Sequence, residues 1–186
     1  MILRWPGVTD GRAGECDDRL LYNIDMAATT LELAGDCDLS QWDGTSFASG
    51  LHQPRPHRES LVLSQLAWCA QRSARWEKYL CIETYHDGWH DYPDIMVFDL
   101  EADPHEQHNL ANSRPDLVEK GKEILSQWKA DCLESAHVKQ DPLEEVMAEG
   151  GPLHVRDDGP SYLKRLRETG REEIADHLAE KHGITP

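Results

Sequence analysis

The sequence predicts an α/β chain of the mixed α+β kind, in which strands and helices occupy separate stretches. Residues 61–100 show the alternation of half-buried strands, and residues 103–183 show apolar residues at helical spacing. A run of strands followed by a run of helices is typical of α+β folds. We therefore expect a small antiparallel sheet with helices packed against it, preceded by a shorter segment of mixed structure.

The N-terminal part of the chain is expected to contain one short strand, one helix and a long loop. Residues 2–5 are mostly apolar and resemble a core strand, which Pro6 would end. A helix is predicted from Asp25, a residue type that caps helices well, to Gly35, a residue type that commonly follows a helix. Residues 36–60 carry turn-forming dipeptides and are interpreted as a loop.

The middle of the chain is expected to form the sheet. One strand begins at Leu61, a second covers residues 77–85 and a third covers residues 96–100. The Asp-Gly dipeptide at 87–88 is common in tight turns, so the turn between the last two strands is placed there. Such a sheet is antiparallel, with one face open to water.

Two apolar stripes predict helices in the last part of the chain. Residues 103–110 begin with Asp-Pro and are interpreted as a structural joint before the first helix. That helix has capping-box spacing at residues 113–116 and apolar residues at helical period over 117–132. The second stripe covers residues 162–178, and Gly170 either interrupts it or ends one helix before the next.

The charge of the chain makes nucleic acid a poor partner. The sequence has 186 residues and a formal net charge of −16, from 35 acidic and 19 basic side chains. A body of this charge repels phosphate backbones. Basic residues gather at 72–78 and 164–171, and both groups are interpreted as solvated surface, although the first could also meet an anionic substrate.

No stretch of the sequence is typical of a membrane span, because none approaches roughly 18 consecutive apolar residues. The residues before Pro6 are too few for a signal peptide, which leaves the cytoplasm as the default compartment. The five cysteines are odd in number and include no C-x-x-C pair, so reduced thiols are expected rather than disulfides or a zinc site. Cys69, Cys81 and Cys132 have apolar neighbours and are expected in the core.

His86 and His90 are the candidate substrate-binding residues. They flank the Asp-Gly dipeptide at a strand end, where a sheet presents side chains to a cleft. A neutral imidazole donates a hydrogen bond to an ester oxygen, and the protonated form adds positive charge. The alternative is that both are hydrogen-bonded turn residues without a ligand. Two histidines alone make a weak metal site, so no metal ligand is assigned.

Aromatic residues surround these histidines. Tyr85, Trp89 and Tyr92 are candidates for the wall of a sugar or aryl pocket, because aromatic faces pack on apolar ring surfaces. Core packing is the alternative for each of them, since an aromatic side chain buries a large apolar area.

The order of these segments resembles the C-terminal part of the sulfatase family. The likeness begins with the helix that ends at Gly35 and the Asp-Gly-Thr-Ser-Phe stretch at 43–47. It continues with Trp-Glu-Lys-Tyr-Leu at 76–80 and closes with Phe-Asp-Leu at 98–100, followed by Asp-Pro-His-Glu and Asn-Leu. A series of motifs in one order is more specific than any single motif, and it spans residues 3–130.

The resemblance implies three parts in the chain. Residues 1–60 would be the end of a sulfatase-type α/β domain, and residues 61–135 would be the smaller C-terminal subdomain, an antiparallel sheet with a packed helix. Residues 136–186 would form a helical extension found in a subset of these enzymes.

The resemblance also implies where the chemistry of the family resides. Sulfatases use a cysteine or serine in a Cys/Ser-x-Pro-x-Arg motif, modified to an aldehyde hydrate beside a calcium ion. None of the five cysteines here has a proline two residues on. The expectation is a C-terminal fragment of a sulfuric ester hydrolase that is inactive alone. Calcium and a sulfate ester would belong to the parent enzyme, and no catalytic residue is assigned in this chain.

Two alternatives stay open on the sequence. The same scaffold serves phosphate and phosphonate ester hydrolases, and the upstream nucleophile would discriminate them from a sulfatase. A non-enzymatic interaction module is the other alternative. Such a fragment would expose a large apolar face, which recruits partners or causes self-association.

Overall fold

The structure is a computed structural model that describes residues 2–35, 38–40, 42–52 and 58–184. The chain divides into two compact units, Met1–Leu61 and Val62–Pro186. The architecture confirms the predicted α+β class, since helices accompany a small antiparallel sheet. The finer division at residues 60 and 135 stays a prediction.

The first unit is built on helix α1, Asn23–Ala34, which ends before Gly35 as predicted. Its predicted start at Asp25 is wrong, because Tyr22 is the cap residue. Asp25 is the third residue of the helix and is completely buried, and its carboxylate accepts the backbone N–H of Tyr22 at 2.7 Å and of Thr45 at 2.9 Å. A buried carboxylate with such partners stabilises the helix start from within the first turn.

The predicted strand at residues 2–5 is absent from the described part of this unit. Trp5 instead begins a turn, in which its N–H donates to Thr9 Oγ1 at 2.8 Å and its carbonyl accepts the Thr9 N–H at 2.9 Å. A strand needs a neighbouring strand for these groups, and here a local turn satisfies them. A short 3₁₀ helix, Asp10–Arg12, and helix α2, Ser49–His52, complete the unit.

The second unit contains a sheet of four strands in sequence order among the described residues. The strands are β1, Ser60–Gln65; β2, Ala70–Trp76; β3, Tyr79–His86; and β4, Ile95–Asp99. β3 pairs antiparallel with both β2 and β4. The sequence pattern did not predict β2, because three of its four buried positions hold Ala or Arg rather than large apolar residues.

The turn between β2 and β3 is at residues 77–78. Trp76 pairs with Tyr79 across it, and Glu77 adopts a φ of +43°. The Asp-Gly dipeptide at 87–88 lies in a turn between β3 and β4, as predicted, and the His90 N–H donates to the Asp87 carbonyl across it at 3.2 Å. This turn opens a loop that covers residues 87–94, in which the Asp87 side chain is buried and paired with Lys181.

Helix α3, Pro115–Ser135, packs on β2, β3 and β4. Its closest approach is at Gly121, where a Cβ would lie 2.5 Å from Cys81 Sγ. The core between helix and sheet is formed by buried side chains from both: Ala74, Trp76, Cys81, Val97, Leu117 and Leu125. The predicted burial of Cys69 and Cys81 is confirmed, but Cys132, which lies in the last turn of α3, is exposed. Cys37 lies outside the described residues.

The joint at residues 103–110 has the structural role that was predicted. Asn109 Oδ1 accepts the Val97 N–H at 2.9 Å, and its Nδ2 donates to the Ile95 carbonyl at 3.1 Å. Asp103 accepts the backbone N–H of His108 at 2.7 Å. These bonds tie the chain that enters α3 to the open edge of β4.

Helix α4, Pro142–Ala148, is attached to the sheet through a buried ion pair. Arg72 of β2 is 7% exposed, and both terminal nitrogens lie 2.6 Å from the carboxylate oxygens of Asp141, which is 3% exposed. The guanidinium also lies over the Trp128 ring at 5.1 Å. The interpretation of Arg72 as solvated surface is therefore wrong, because a partner remote in sequence neutralises it inside the fold.

The chain ends in a helical pair, α5, Gly159–Glu168, and α6, Glu172–Lys181. Gly170, at a φ of +73°, separates the two helices, which decides between the two interpretations of that glycine. Leu163 and Leu166 pack against Ala175 and Leu178. Within the described ranges, no helix has both the length and the apolar character that a membrane crossing requires.

Candidate functional site

The candidate site lies at one end of the sheet, where β3 ends at His86. The register pairs His86 with Ala70, so the turn before β2 lies beside the loop after β3. At Gly88, a Cβ would overlap the carbonyl oxygen of Trp68, which shows how closely the two segments approach. The name "histidine end" is used below for His86 and three segments beside it: the turn 66–69, the loop 87–94 and the loop 149–158.

His86 is held as a neutral hydrogen-bond donor. Its Nδ1 accepts the Gly88 N–H at 3.0 Å, so the hydrogen of the neutral ring is on Nε2. Burial lowers the pKa of His86, and the neighbouring His182 lowers it further. The edge that carries Nε2 faces Gly151, where a Cβ would lie 3.0 Å from this nitrogen. The geometry thus favours the neutral form over the charged one.

His90 lies in the loop that follows His86 but has different neighbours. Its backbone N–H donates to the Asp87 carbonyl at 3.2 Å, and its exposed ring lies 5.5 Å from the ring of Tyr92. The ring of His86 instead lies 5.3 Å from that of His182. The structure therefore places both predicted residues at the histidine end without bringing their rings together. Substrate contact by either residue stays a prediction.

Asp87 is the buried anchor of the loop. It is 2% exposed, and its Oδ1 accepts the Trp89 N–H at 2.9 Å. Lys181 Nζ lies 2.7 Å from Oδ2, and His182 Nε2 lies 2.9 Å from Oδ1. Burial would raise the pKa of Asp87, but Lys181, the Trp89 N–H and His182 together hold it below its usual value. The carboxylate is therefore charged and paired.

The partners of Asp87 were not found by reasoning from the sequence. Lys181 ends α6 and His182 caps it, far along the chain from the loop that they hold. Lys181 also contacts Asp91 Oδ1 at 3.1 Å and donates to the Tyr92 carbonyl at 2.9 Å. No local pattern links these positions, so only the packing of α6 identifies them.

Trp89 is a core residue rather than an open pocket wall. It is 7% exposed, and its Nε1 donates to the Val155 carbonyl at 3.0 Å. It also has a φ of +68°, which is costly for a bulky side chain. The bonds to Asp87 and Val155 hold it there. Tyr85 and Tyr92 are 37% and 38% exposed, so of the three aromatics only these two present substantial surface.

Trp68, the more exposed of the two tryptophans at the histidine end, was not predicted as a site residue from the sequence. Trp68 is 58% exposed in the turn 66–69, and the ring of His154 stacks on it at 4.9 Å with planes 22° apart. Its signal was present in the sequence as a tryptophan outside any apolar period. The position of His154 had no such signal, because the two residues come together only through the fold.

The described residues offer no catalytic metal centre. No group of three or more His, Cys, Asp and Glu side chains converges within residues 2–35, 38–40, 42–52 and 58–184. The residues present thus do not fit the calcium that the resemblance implies for the parent enzyme. Ser113 has a proline two residues on, but Leu117 stands where the sulfatase motif has arginine.

Comparison with known proteins supports the resemblance to sulfatases. The N-acetylglucosamine-6-sulfatase of Bos taurus is 26% identical over an alignment of 154 residues that covers 64% of this chain and 27% of that protein. The chain thus spans about a quarter of the length of this curated relative. No family model matches the chain. The match to a sulfatase confirms the predicted likeness and is consistent with a C-terminal portion.

Two solved structures match part of this chain. A protein in complex with its substrate D-glucosamine-2-N,6-O-disulfate matches 60% of this chain and 24% of its own, with a TM-score of 0.50 at 18% identity. A structure from the metabolism of multiple glycosaminoglycans by Bacteroides thetaiotaomicron matches 57% of this chain and 24% of its own, with a TM-score of 0.46 at 20% identity. The first of these shows a shared fold.

Proposed function

We propose that this chain is the C-terminal portion of a sulfuric ester hydrolase and forms one wall of its substrate pocket. The observation that carries the proposal is the 26% identity to a sulfatase over 154 residues. The fold supports the proposal, because motifs that resemble those of sulfatases form defined contacts in the structure. The Asn-Leu motif, for example, supplies Asn109, which bonds to both the N–H and C=O groups of β4.

The ester-cleaving step would be performed by polypeptide other than these residues. Hydrolysis of this kind requires a nucleophile and stabilisation of the leaving oxygen. The printed sequence has no Cys/Ser-x-Pro-x-Arg motif, and its described residues hold no cluster of metal ligands. In the parent enzyme, calcium would supply positive charge near the sulfate. The role of this chain would be to bind and orient the ester.

His86 and His90 would contact the substrate from the histidine end. With Nδ1 of His86 engaged by the Gly88 N–H, its Nε2–H is the donor for an ester or hydroxyl oxygen. His90 is exposed and flanks the same turn. The paired Asp87 would hold the turn between them rather than take part in chemistry, because its charge is already satisfied by Lys181 and His182.

Activity of the isolated chain tests the proposal that it is inactive alone. The purified 186-residue chain is incubated with an aryl sulfate and calcium, and product release is followed by absorbance. The expected result is no turnover above buffer, because the proposal places the nucleophile outside these residues. Turnover above buffer that persists after repeated purification would contradict the proposal.

Binding of a sulfated sugar tests the assigned class of substrate. N-acetylglucosamine 6-sulfate and N-acetylglucosamine 6-phosphate are titrated separately into the isotope-labelled chain, and the ring signals of His86 and His90 are followed by NMR. The sulfate ester is expected to shift these signals more than the phosphate ester. A stronger response to the phosphate ester would favour a phosphate or phosphonate ester hydrolase. No response to either would remove both histidines from the proposed site.

A further inference from the structure

We propose that Trp68 and His154 form a carbohydrate platform beside His86, on which the apolar face of a pyranose ring stacks. The proposal rests on the proposed function in taking the ligand to be a sugar ester. It adds a second contact, to a sugar ring, that neither the resemblance nor the candidate histidines include.

The first observation is the exposed face of Trp68. The His154 ring stacks on the indole at 4.9 Å, with the two planes 22° apart, so one face of the indole is occupied. The side chain nevertheless remains 58% exposed. The exposed area must then belong to the opposite face and the edges. A single exposed hydrophobic residue is ordinary, so its exposure alone does not indicate a ligand site.

The second observation is that the turn under Trp68 is fixed. Cys69 is 3% exposed, and its thiol accepts from Gln65 at 2.9 Å and donates to Gln71 at 3.3 Å. Gln71 in turn donates to Thr84 of β3 at 3.0 Å. This chain of side-chain bonds crosses the sheet beneath the turn. The indole is therefore preorganised, which lowers the entropic cost of ligand binding.

The third observation is that one loop connects the platform to His86. The loop 149–158 supplies His154 to the Trp68 ring, Gly151 to the edge of His86, and the Val155 carbonyl to Trp89 Nε1. His86 pairs with Ala70, two residues from Trp68, and a Cβ on Gly88 would overlap the Trp68 carbonyl oxygen. A ligand of a few sugar rings at His86 therefore reaches the indole.

The chemistry of the surface favours a sugar over other planar ligands. An indole face is apolar and electron-rich, and it attracts the C–H groups of a pyranose. The indole N–H and the imidazole of His154 provide a polar rim for hydroxyl groups. A nucleobase would stack as well, but its phosphates meet a chain with a net charge of −16. Because the chain is acidic, a sulfated sugar would be recognised by stacking on the indole rather than by a basic surface.

The test is an NMR titration of the isotope-labelled 186-residue chain, with the indole N–H signals as the readout. The probes are N-acetylglucosamine 6-sulfate and the unsulfated disaccharide N,N′-diacetylchitobiose. Both are expected to shift the Trp68 signal, with dissociation constants of about 1 mM or weaker, as is usual for small ligands on one aromatic contact. Trp42, which is 46% exposed in the other unit, is the control within the chain.

Variants separate the platform from a general effect on the fold. Trp68→Ala and His154→Ala are expected to weaken binding of the disaccharide by at least about tenfold, whereas Trp68→Phe retains a ring and most of the response. Trp42→Ala is expected to bind as the unmodified chain does. Far-UV circular dichroism checks that each variant is folded.

Each outcome either supports or overturns the platform. No shift of Trp68 with either sugar, or an equal shift of Trp42, overturns it. A shift of His86 with the sulfated sugar while Trp68 is unmoved also overturns it, yet supports the proposed function. A shift of Trp68 without one at His86 supports the platform and contradicts the role of that histidine. If Trp68→Ala abolishes self-association in light scattering and sugars have no effect, the surface is a protein interface and the platform is wrong.

Discussion

Replacing Asp141 tests whether the buried ion pair with Arg72 holds helix α4 to the sheet. The pair is bidentate, with both nitrogen–oxygen distances at 2.6 Å, and the two residues are 3% and 7% exposed. Removal of one partner leaves the other charge buried without compensation, which costs about 3–5 kcal/mol of unfolding free energy. Asp141 also caps α4 by accepting the Leu143 N–H at 3.0 Å, which adds about 1 kcal/mol.

These terms predict an order among the variants. Asp141→Ala loses the pair and the cap, so we expect a loss of about 4–6 kcal/mol. Asp141→Asn keeps an oxygen for the cap and for one guanidinium bond, and we expect about 2–4 kcal/mol. Arg72→Met should cost less than Asp141→Ala, because Lys129 Nζ lies 3.4 Å from the Asp141 carboxylate and still compensates part of its charge.

Urea denaturation followed by tryptophan fluorescence and circular dichroism measures these losses. The matched control is Asp116→Asn, whose pair with Arg114 has the same 2.6 Å distance but side chains that are 62% and 44% exposed. An exposed pair contributes about 0–1 kcal/mol, so the control should change little. A loss for Asp141→Ala of less than about 1 kcal/mol, or one equal to the control, would refute the reasoning from burial.

The remaining predictions concern pH and two glycines. The arginine bonded to Asp141 is the largest cause that lowers the pKa of this carboxyl in the folded state. The ionised carboxylate therefore stabilises the fold fully above its unfolded pKa of about 4, and this stabilisation is lost as pH falls toward the lower folded pKa. In Asp141→Asn, the urea midpoint should therefore depend less steeply on pH across this acidic range. Gly121→Ala forces a methyl group against Cys81 and should cost about 1–3 kcal/mol, part of which Cys81→Ala restores. Gly151→Ala, at a φ of +103° and against the His86 ring, should cost about 1–3 kcal/mol and shift the NMR signals of that ring.

Each of these three has a contrary outcome. A pH slope that is unchanged in the asparagine variant would show that other carboxyls govern acid stability. An alanine at position 121 that stabilises the chain would mean that helix propensity outweighs the contact with the sheet. Unmoved ring signals in the variant at position 151 would show that the loop 149–158 does not pack on His86.

The parts of the site that sequence reasoning found are those with local signals. His86 and His90 were predicted as candidates because they flank an Asp-Gly dipeptide at a strand end. In the structure His86 is the last residue of β3 and His90 lies in the loop that follows. The tautomer of His86 could not be predicted, since it depends on the Gly88 N–H reaching Nδ1. The sequence left pocket wall and core packing open for Trp89, and only the fold decided for the core, where the Trp89 Nε1 donates to the Val155 carbonyl.

The sequence by itself determined the elements whose stability comes from near neighbours along the chain. Helical period located α3 and the α5–α6 pair, and glycines marked the ends at Gly35 and Gly170, because caps and apolar stripes act within a few residues. Only the tertiary structure decided the pairs Arg72–Asp141, Asp87–Lys181 and Trp68–His154. Such contacts join positions far apart in sequence, and their strength depends on burial that no local pattern encodes.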